Sequence, residues 1–255
     1  KPMLPKLSEE VPVGEEWMYE VKYDGFRALL TWEEHSITLT SRNGKDLTPL
    51  FPEVIQFCND IQKLIQNWLP VQLDGELVVL NSPLQANFSL IQLRGRLGQQ
   101  DKIAKMAKRR PATFIAFDLL EYNKEISSYP FLERKKKLIS LMEKLHITVP
   151  IHPLKRIGFT KSYSNFEELW NLLVMEYGEG IIAKRKTNRY EHGKRVDHWL
   201  KIKNWRKITG VVTQYDVANQ YFSLNVLEQE DWKEIGVFKH GLKETEFQSI
   251  TNLMM

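Results

Sequence analysis

The stretch Glu20-Val21-Lys22-Tyr23-Asp24-Gly25-Phe26-Arg27 decides how this chain is read. It joins two segments rich in aromatic and apolar residues, 17–23 and 26–32, which read as strands. Asp24-Gly25 is the kind of residue pair that closes a two-residue hairpin, so a hairpin is expected between them. Lysine normally keeps its ammonium in water on a long stem, so a lysine at a strand end beside a tight turn is unusual. By average composition K-x-D-G arises by chance in on the order of one chain in twenty of this length. Its weight therefore comes from its surroundings.

Downstream, residues 37–41 alternate as a short strand that Asn43-Gly44 ends. Residues 52–68 carry apolar side chains at 54, 57, 58, 61, 64, 65 and 68, a helical stripe opened by Pro52. Cys58 lies on that stripe and is read as a small core residue. Residues 71–80 form a strand that Asp74-Gly75-Glu76 interrupts, and 113–121 read as buried sheet. Amphipathic helices are expected over 131–145 and 166–177, and a strand begins at Ile181-Ile182-Ala183. This mixed order of elements indicates an α+β fold with antiparallel sheets. After Asn204 three short strands, 208–215, 221–227 and 232–238, precede a helical tail over 243–253. That texture suits a small β-barrel, although about 50 residues is short for closing one. Two domains are therefore expected, 1–204 and 205–255.

With no apolar run near the roughly 18 residues that span a bilayer, and no signal-peptide pattern, an intracellular protein without membrane contact is expected. One cysteine among 255 residues excludes an internal disulfide and a multi-cysteine zinc site. His192 and His198 have no evident third ligand beside them and are read as surface residues. The net charge of +4 is mild, but its distribution is uneven. Segments 94–110 and 184–207 hold 17 of the 36 lysines and arginines. Tyr190, Trp199 and Trp205 are interleaved in the second, a mixture that suits nucleotide or backbone contact.

Six motifs in order then carry a resemblance. They are Lys22-Tyr23-Asp24-Gly25, Ser41-Arg42-Asn43-Gly44, Leu73-Asp74-Gly75-Glu76, Phe117-Asp118-Leu119-Leu120, Glu179-Gly180-Ile181-Ile182-Ala183-Lys184 and Trp199-Leu200-Lys201-Ile202-Lys203. Together they resemble the covalent nucleotidyltransferases, the superfamily of ATP-dependent DNA ligases, RNA ligases and mRNA capping enzymes. The resemblance implies an adenylation domain over 1–204 followed by an oligonucleotide-binding (OB-fold) β-barrel, here apparently incomplete. It implies ATP as cosubstrate, with AMP carried covalently on Lys22, and Mg²⁺ or Mn²⁺ held by Glu179 with help from Asp24.

Matching motif positions implies further roles. Glu76 and Arg27 hold the ribose hydroxyls, Phe117 stacks on adenine, and Glu20 sits near the adenine amino group. Lys184, Lys201 and Lys203 approach the phosphates. Arg42 reaches toward ribose or the DNA 5′-phosphate, and Arg94 and Arg96 are DNA contacts. Arg27 two residues after Gly25, together with Leu132-Glu133-Arg134-Lys135 after the Phe117 strand, is similar to DNA ligases. The compact start, Gln92-Leu93-Arg94-Gly95-Arg96-Leu97 and Lys239-His240-Gly241-Leu242 resemble the ligase modules of bacterial non-homologous end-joining enzymes. That implies a monomer in the bacterial cytoplasm, associated with the nucleoid. It would act on nicked or broken double-stranded DNA with the end-binding protein Ku and a polymerase module on the full-length chain. The sixth, basic motif of the superfamily has no counterpart, so the chain is expected to be a fragment. An RNA ligase or capping-type transferase, and a non-catalytic DNA-end-binding module, are the competing readings.

Overall fold

The strands on either side of Lys22 belong to two different sheets. In the computed structural model, which describes residues 1–254, the first sheet runs in spatial order β1 (Leu4–Leu7), β12 (Arg195–Lys203), β11 (Gly180–Arg185), β2 (Trp17–Val21) and β10 (Ser162–Tyr163). The second runs β4 (Ile37–Ser41), β3 (Phe26–Trp32), β5 (Val71–Val78), β8 (Thr113–Tyr122) and β9 (Ile157–Phe159). A ribbon of β6 (Leu80–Ser82) and β7 (Gln85–Ala86) follows β5. Lys22 therefore sits where the chain leaves β2 and crosses to β3. Its amide makes the last hydrogen bond on the first side, to Gly180 O at 2.9 Å.

The expected hairpin is thus corrected to a crossover between sheets. Asp-Gly pairs close hairpins because glycine tolerates positive φ, but Gly25 is not among the positive-φ glycines. What it supplies is closeness: a Cβ there would lie 2.1 Å from the Leu77 carbonyl oxygen on β5. The expected interruption at 74–76 is also absent, and β5 runs unbroken through it. Gly75 again serves close packing, since a Cβ there would lie 2.5 Å from the Phe114 ring. The irregularity falls on the neighbouring strand. Asp74 pairs with Asp118 and Gly75 with Ala116, leaving Phe117 as the extra residue of a β-bulge.

Helices cover these sheets. The stripe at 52–68 folds as α1 (Pro52–Ile61) and then two single 3₁₀ turns, shorter than the sequence pattern suggests. Leu69, just before Pro70, is extended, as the residue preceding proline prefers. Val54 and Cys58 of α1, Ile91 of α2 (Phe88–Gly95), and Leu138, Leu141 and Met142 of α4 (Phe131–Lys144) join Leu30, Leu73 and Phe114 in the main core. Burying each such leucine or phenylalanine stabilises the fold by about 1.5–3 kcal/mol. Between α2 and β8 lies the basic helix α3 (Gln100–Arg109), anchored by Ile103. A second core sets Leu169 and Leu173 of α5 (Phe166–Met175) against Tyr19, Ile181 and Ala183 of the first sheet. Asn165 caps α5 by accepting from the Glu168 amide.

The contacts divide the chain into two compact units, Lys1–Asn204 and Trp205–Met255. The second is an antiparallel sheet of β13 (Val211–Asp216), β14 (Tyr221–Glu228) and β15 (Asp231–Phe238), followed by α6 (Glu244–Met254). Phe222 is its buried centre, with Phe247 of α6 edge-on at 5.5 Å and Phe238 stacked at 5.4 Å.

Candidate active site

Strand alternation assembles the first wall of a cleft. Glu20 pairs with Ile182, Ile182 with Lys201, Lys184 with Trp199, and Gly180 with Lys203. The period-two rule then puts Glu20, Ile182, Lys184, Trp199, Lys201 and Lys203 on one face. The second sheet supplies the opposite wall through Arg27, Glu76 and Phe117. Arg27 and Glu76 are register partners on β3 and β5. Glu20, Lys22, Asp24, Arg27, Glu76, Phe117 and Lys184 line the cleft between the two walls together with Pro5, Ile182 and Trp199. A concave site with apolar and aromatic walls and a few convergent charged groups is the usual make-up of a small-molecule site.

At this cleft Lys22 Nζ donates to Glu179 Oε1 in a part-buried ion pair. The second oxygen, Glu179 Oε2, is buried with no hydrogen-bond partner. Burial pushes the Glu179 carboxyl above its usual range; Lys22 and Lys203 oppose this, and the negative charge of Asp24 adds to it. An orphaned carboxylate oxygen with a second acid close by fits a hard divalent cation, which takes carboxylate oxygens and keeps several waters. Lys201 belongs to the same constellation. Its pKa is lowered, mainly by burial and then by Arg195, Lys203 and Lys22. Among the described residues no cluster of three or more His, Cys, Asp or Glu forms a complete metal cage.

Arg27 is fixed by Asp74, with Nε to Oδ1 at 2.6 Å and Nη2 to Oδ2 at 2.7 Å, and it also donates to Met3 O at 3.1 Å. Tyr190 donates its hydroxyl to the same Asp74 carboxylate. The Arg27 guanidinium carbon lies 4.4 Å from the Phe117 ring centroid, and Trp199 meets that ring edge-on at 6.1 Å. Glu76 is pushed up to about 8 by burial, which the nearby Arg27 and Lys22 only partly offset.

Glu20 lines the cleft, but its carboxylate is already engaged on every side. Oε1 accepts from Ser162 Oγ at 2.6 Å and Lys135 Nζ at 2.6 Å, and Oε2 from Thr160 Oγ1 at 2.9 Å and Lys184 Nζ at 2.7 Å. A carboxylate has about four acceptor directions, and all are taken. Burial alone would raise its pKa, but Lys135 and Lys184 hold it down to about 2. Lys184 also lines the cleft and donates to Glu20 at 2.7 Å and to Phe117 O at 3.0 Å. Burial depresses its pKa to about 8.

Arg94 is corrected outright as a DNA contact. It is 0% exposed and forks onto Glu53 at 2.7 and 3.2 Å, also donating to Leu50 O and Arg110 O. Arg96, two residues on, is exposed, as is Arg42, whose amide donates to Arg27 O at 3.1 Å. His198 is buried rather than on the surface. Sequence reasoning missed Asp74, although it lies within a recognised motif, and missed Lys135, Thr160 and Ser162. The last two lie in a segment without any motif.

The family profile described as ATP dependent DNA ligase domain matches residues 2–203, the whole of the first unit save its ends. The chain belongs to the ATP-dependent DNA ligase family. Among curated relatives, the bifunctional non-homologous end joining protein LigD of Bacillus subtilis is 37% identical over 255 residues, covering 99% of this chain and 42% of that protein. The multifunctional LigD of Mycobacterium tuberculosis is 31% identical over 187 residues, covering 73% and 21%. The chain thus spans less than half the length of these relatives. The ligase domain of M. tuberculosis LigD superposes with a TM-score of 0.62 at 24% identity, covering 99% of this chain and 76% of that one. A mycobacterial DNA ligase D complexed with ATP and MES gives 0.66 at 24% identity with the same coverage. At that identity the likeness speaks to fold, and the fold is the ligase arrangement of a nucleotidyltransferase part and an OB-fold part. No helix among the described residues is long and apolar enough to cross a membrane.

Proposed function

We propose that this domain takes AMP from ATP onto Lys22 and uses it to seal nicks in double-stranded DNA during end joining. The observation that carries the reading is Lys22 in the cleft between the two sheets, paired with Glu179 and flanked by Lys201. In the first step the Lys22 amine, having lost its proton, attacks the α-phosphorus. A nitrogen–phosphorus bond forms, the bond to the β-phosphate oxygen breaks, and pyrophosphate leaves. In the second step a DNA 5′-phosphate oxygen attacks the same phosphorus and frees Lys22. In the third the 3′-hydroxyl attacks the activated 5′-phosphate and AMP leaves.

The side chains have clear parts in this scheme. Glu179 pins Lys22 before nucleotide arrives, and Lys201 and Lys203 add positive charge where phosphate charge develops. Glu179, with Asp24, would hold Mg²⁺ or Mn²⁺, which supplies charge neutralisation at the phosphates. Phe117 offers the face on which adenine stacks, and Arg27 keeps its two Nη1 hydrogens for ribose, opposite Glu76. Arg42 and Arg96, both exposed, are assigned to the DNA backbone. The names of the LigD relatives support the end-joining role; Ku as partner, a polymerase module elsewhere on the full-length chain and work at the bacterial nucleoid complete the proposal.

The test is sealing. A nicked duplex should be joined with ATP by the chain, and a duplex already carrying AMP on its 5′-phosphate should be joined without ATP. If neither is sealed although DNA is bound, the domain is a binding module and the proposal fails.

A further inference from the structure

Lys135 lies on α4, 1% exposed, and does not line the nucleotide cleft. All three of its ammonium hydrogens are spoken for, by Glu20 Oε1 at 2.6 Å, Thr160 O at 2.7 Å and Thr160 Oγ1 at 2.9 Å. Glu20 passes the restraint on to Lys184 at 2.7 Å, and Lys184 donates to Phe117 O at 3.0 Å. Phe117 is the extra residue at one of the two register shifts of β8 against β5. A bulge residue is left unpaired in the ladder, so Lys184 supplies the donor that β5 does not.

The same ammonium lies 4.7 Å from the Phe117 ring centroid and 4.3 Å from that of Trp199. With Phe131 at 4.8 Å, a carbonyl and three rings hold it in one place. The chain of contacts runs without a break from α4 to the ring that faces the cleft. A network built only for stability would not need three cationic and anionic groups enclosed beside a ligand site, since well-packed apolar residues serve stability as well or better.

Resting on the nucleotide reading of that cleft, we propose that Lys135 is a positioning residue for nucleotide binding, acting through Glu20 and Lys184 to aim the Phe117 bulge at the adenine ring. Lys135 touches neither nucleotide nor DNA. Its removal leaves Glu20 and Lys184 as a neutral pair, so the fold persists while the bulge loses its outer restraint. Thr160 is the second handle on the same network, because its hydroxyl accepts from Lys135 and donates to Glu20.

The experiment follows the rate of enzyme–AMP formation against ATP concentration for the chain and for Lys135→Met, Thr160→Val and Thr160→Ser, with thermal melts beside them. Lys135→Met and Thr160→Val should raise the KM for ATP about tenfold, the scale of one lost charge-assisted hydrogen bond. The maximal rate should stay within about twofold, because the bond-making groups are untouched. Thr160→Ser, which keeps the hydroxyl, should restore the KM. Should Lys135→Met not fold, the Thr160 pair decides alone. An unchanged KM in folded variants, or a fall in maximal rate at unchanged KM, overturns the proposal. Absence of any label on the unaltered chain would instead overturn the nucleotide reading itself.

Discussion

Arg94→Met separates two readings of one basic segment. If Arg94 is a strut, its loss leaves the Glu53 carboxylate, whose side chain is 11% exposed, with the Ala112 amide at 2.8 Å and the more distant charge of Arg156. Leu50 O and Arg110 O lose their donor as well. Removing one partner of a buried ion pair costs about 3–5 kcal/mol. The partial exposure of Glu53 lets water reach it, so about 4 kcal/mol is the expected loss. For a domain of this size that corresponds to a drop of roughly 8–16 °C in Tm. Urea unfolding at 25 °C gives the free energy, and Arg94→Met/Glu53→Leu should recover more than half of it, because neither charge is then left alone. The salt dependence of nicked-duplex binding should be unchanged in the folded fraction. A loss under about 1 kcal/mol, with the salt slope reduced by about 0.9 as for one missing phosphate contact, would refute the buried-strut argument.

Other perturbations address the cleft. Glu179→Gln should lower the maximal rate of enzyme–AMP formation on the order of 100-fold and shift the Mg²⁺ or Mn²⁺ titration to higher concentration; an unmoved titration contradicts the cation assignment. Gly25→Ala should cost about 1–3 kcal/mol by forcing a Cβ against a backbone carbonyl, measured by urea midpoint, and wild-type stability would show that the crossover packs more loosely than described. Glu76 has a folded pKa raised to about 8, above its unfolded value, so its contribution to stability is full at low pH and is lost as pH rises through about 8. In the nucleotide-free chain, Glu76→Gln should therefore gain stability relative to wild type between pH 5 and pH 9, and a constant difference would contradict the raised pKa.

The ligase motifs are local, which is why Lys22, Glu179, Lys201 and Lys203 could be picked out of the sequence. Strand periodicity likewise placed residues 26–32 and 37–41 without help from tertiary contacts. What failed depends on partners far along the chain. Asp24-Gly25 has the chemistry of a hairpin turn, and only the nearness of Leu77 O reveals why glycine stands there. Arg94 looks like its neighbour Arg96 until Glu53, 41 residues upstream, is seen to hold it. Glu20 is bonded by groups from Lys135 to Lys184, all more than a hundred residues away, so its lost acceptor capacity leaves no local trace. The Phe117 bulge is equally silent, because it is a mismatch between two strands and belongs to neither alone.

The central claim is that Lys22 is the group that carries AMP, and mapping the adduct tests it most directly. The chain is incubated with ATP and Mg²⁺ or Mn²⁺, denatured, and its peptides are analysed by mass spectrometry, with Lys22→Ala alongside. The account predicts AMP on the peptide containing Lys22, absent from the variant and discharged by nicked DNA. AMP on another residue, or an adduct that survives Lys22→Ala, would contradict it.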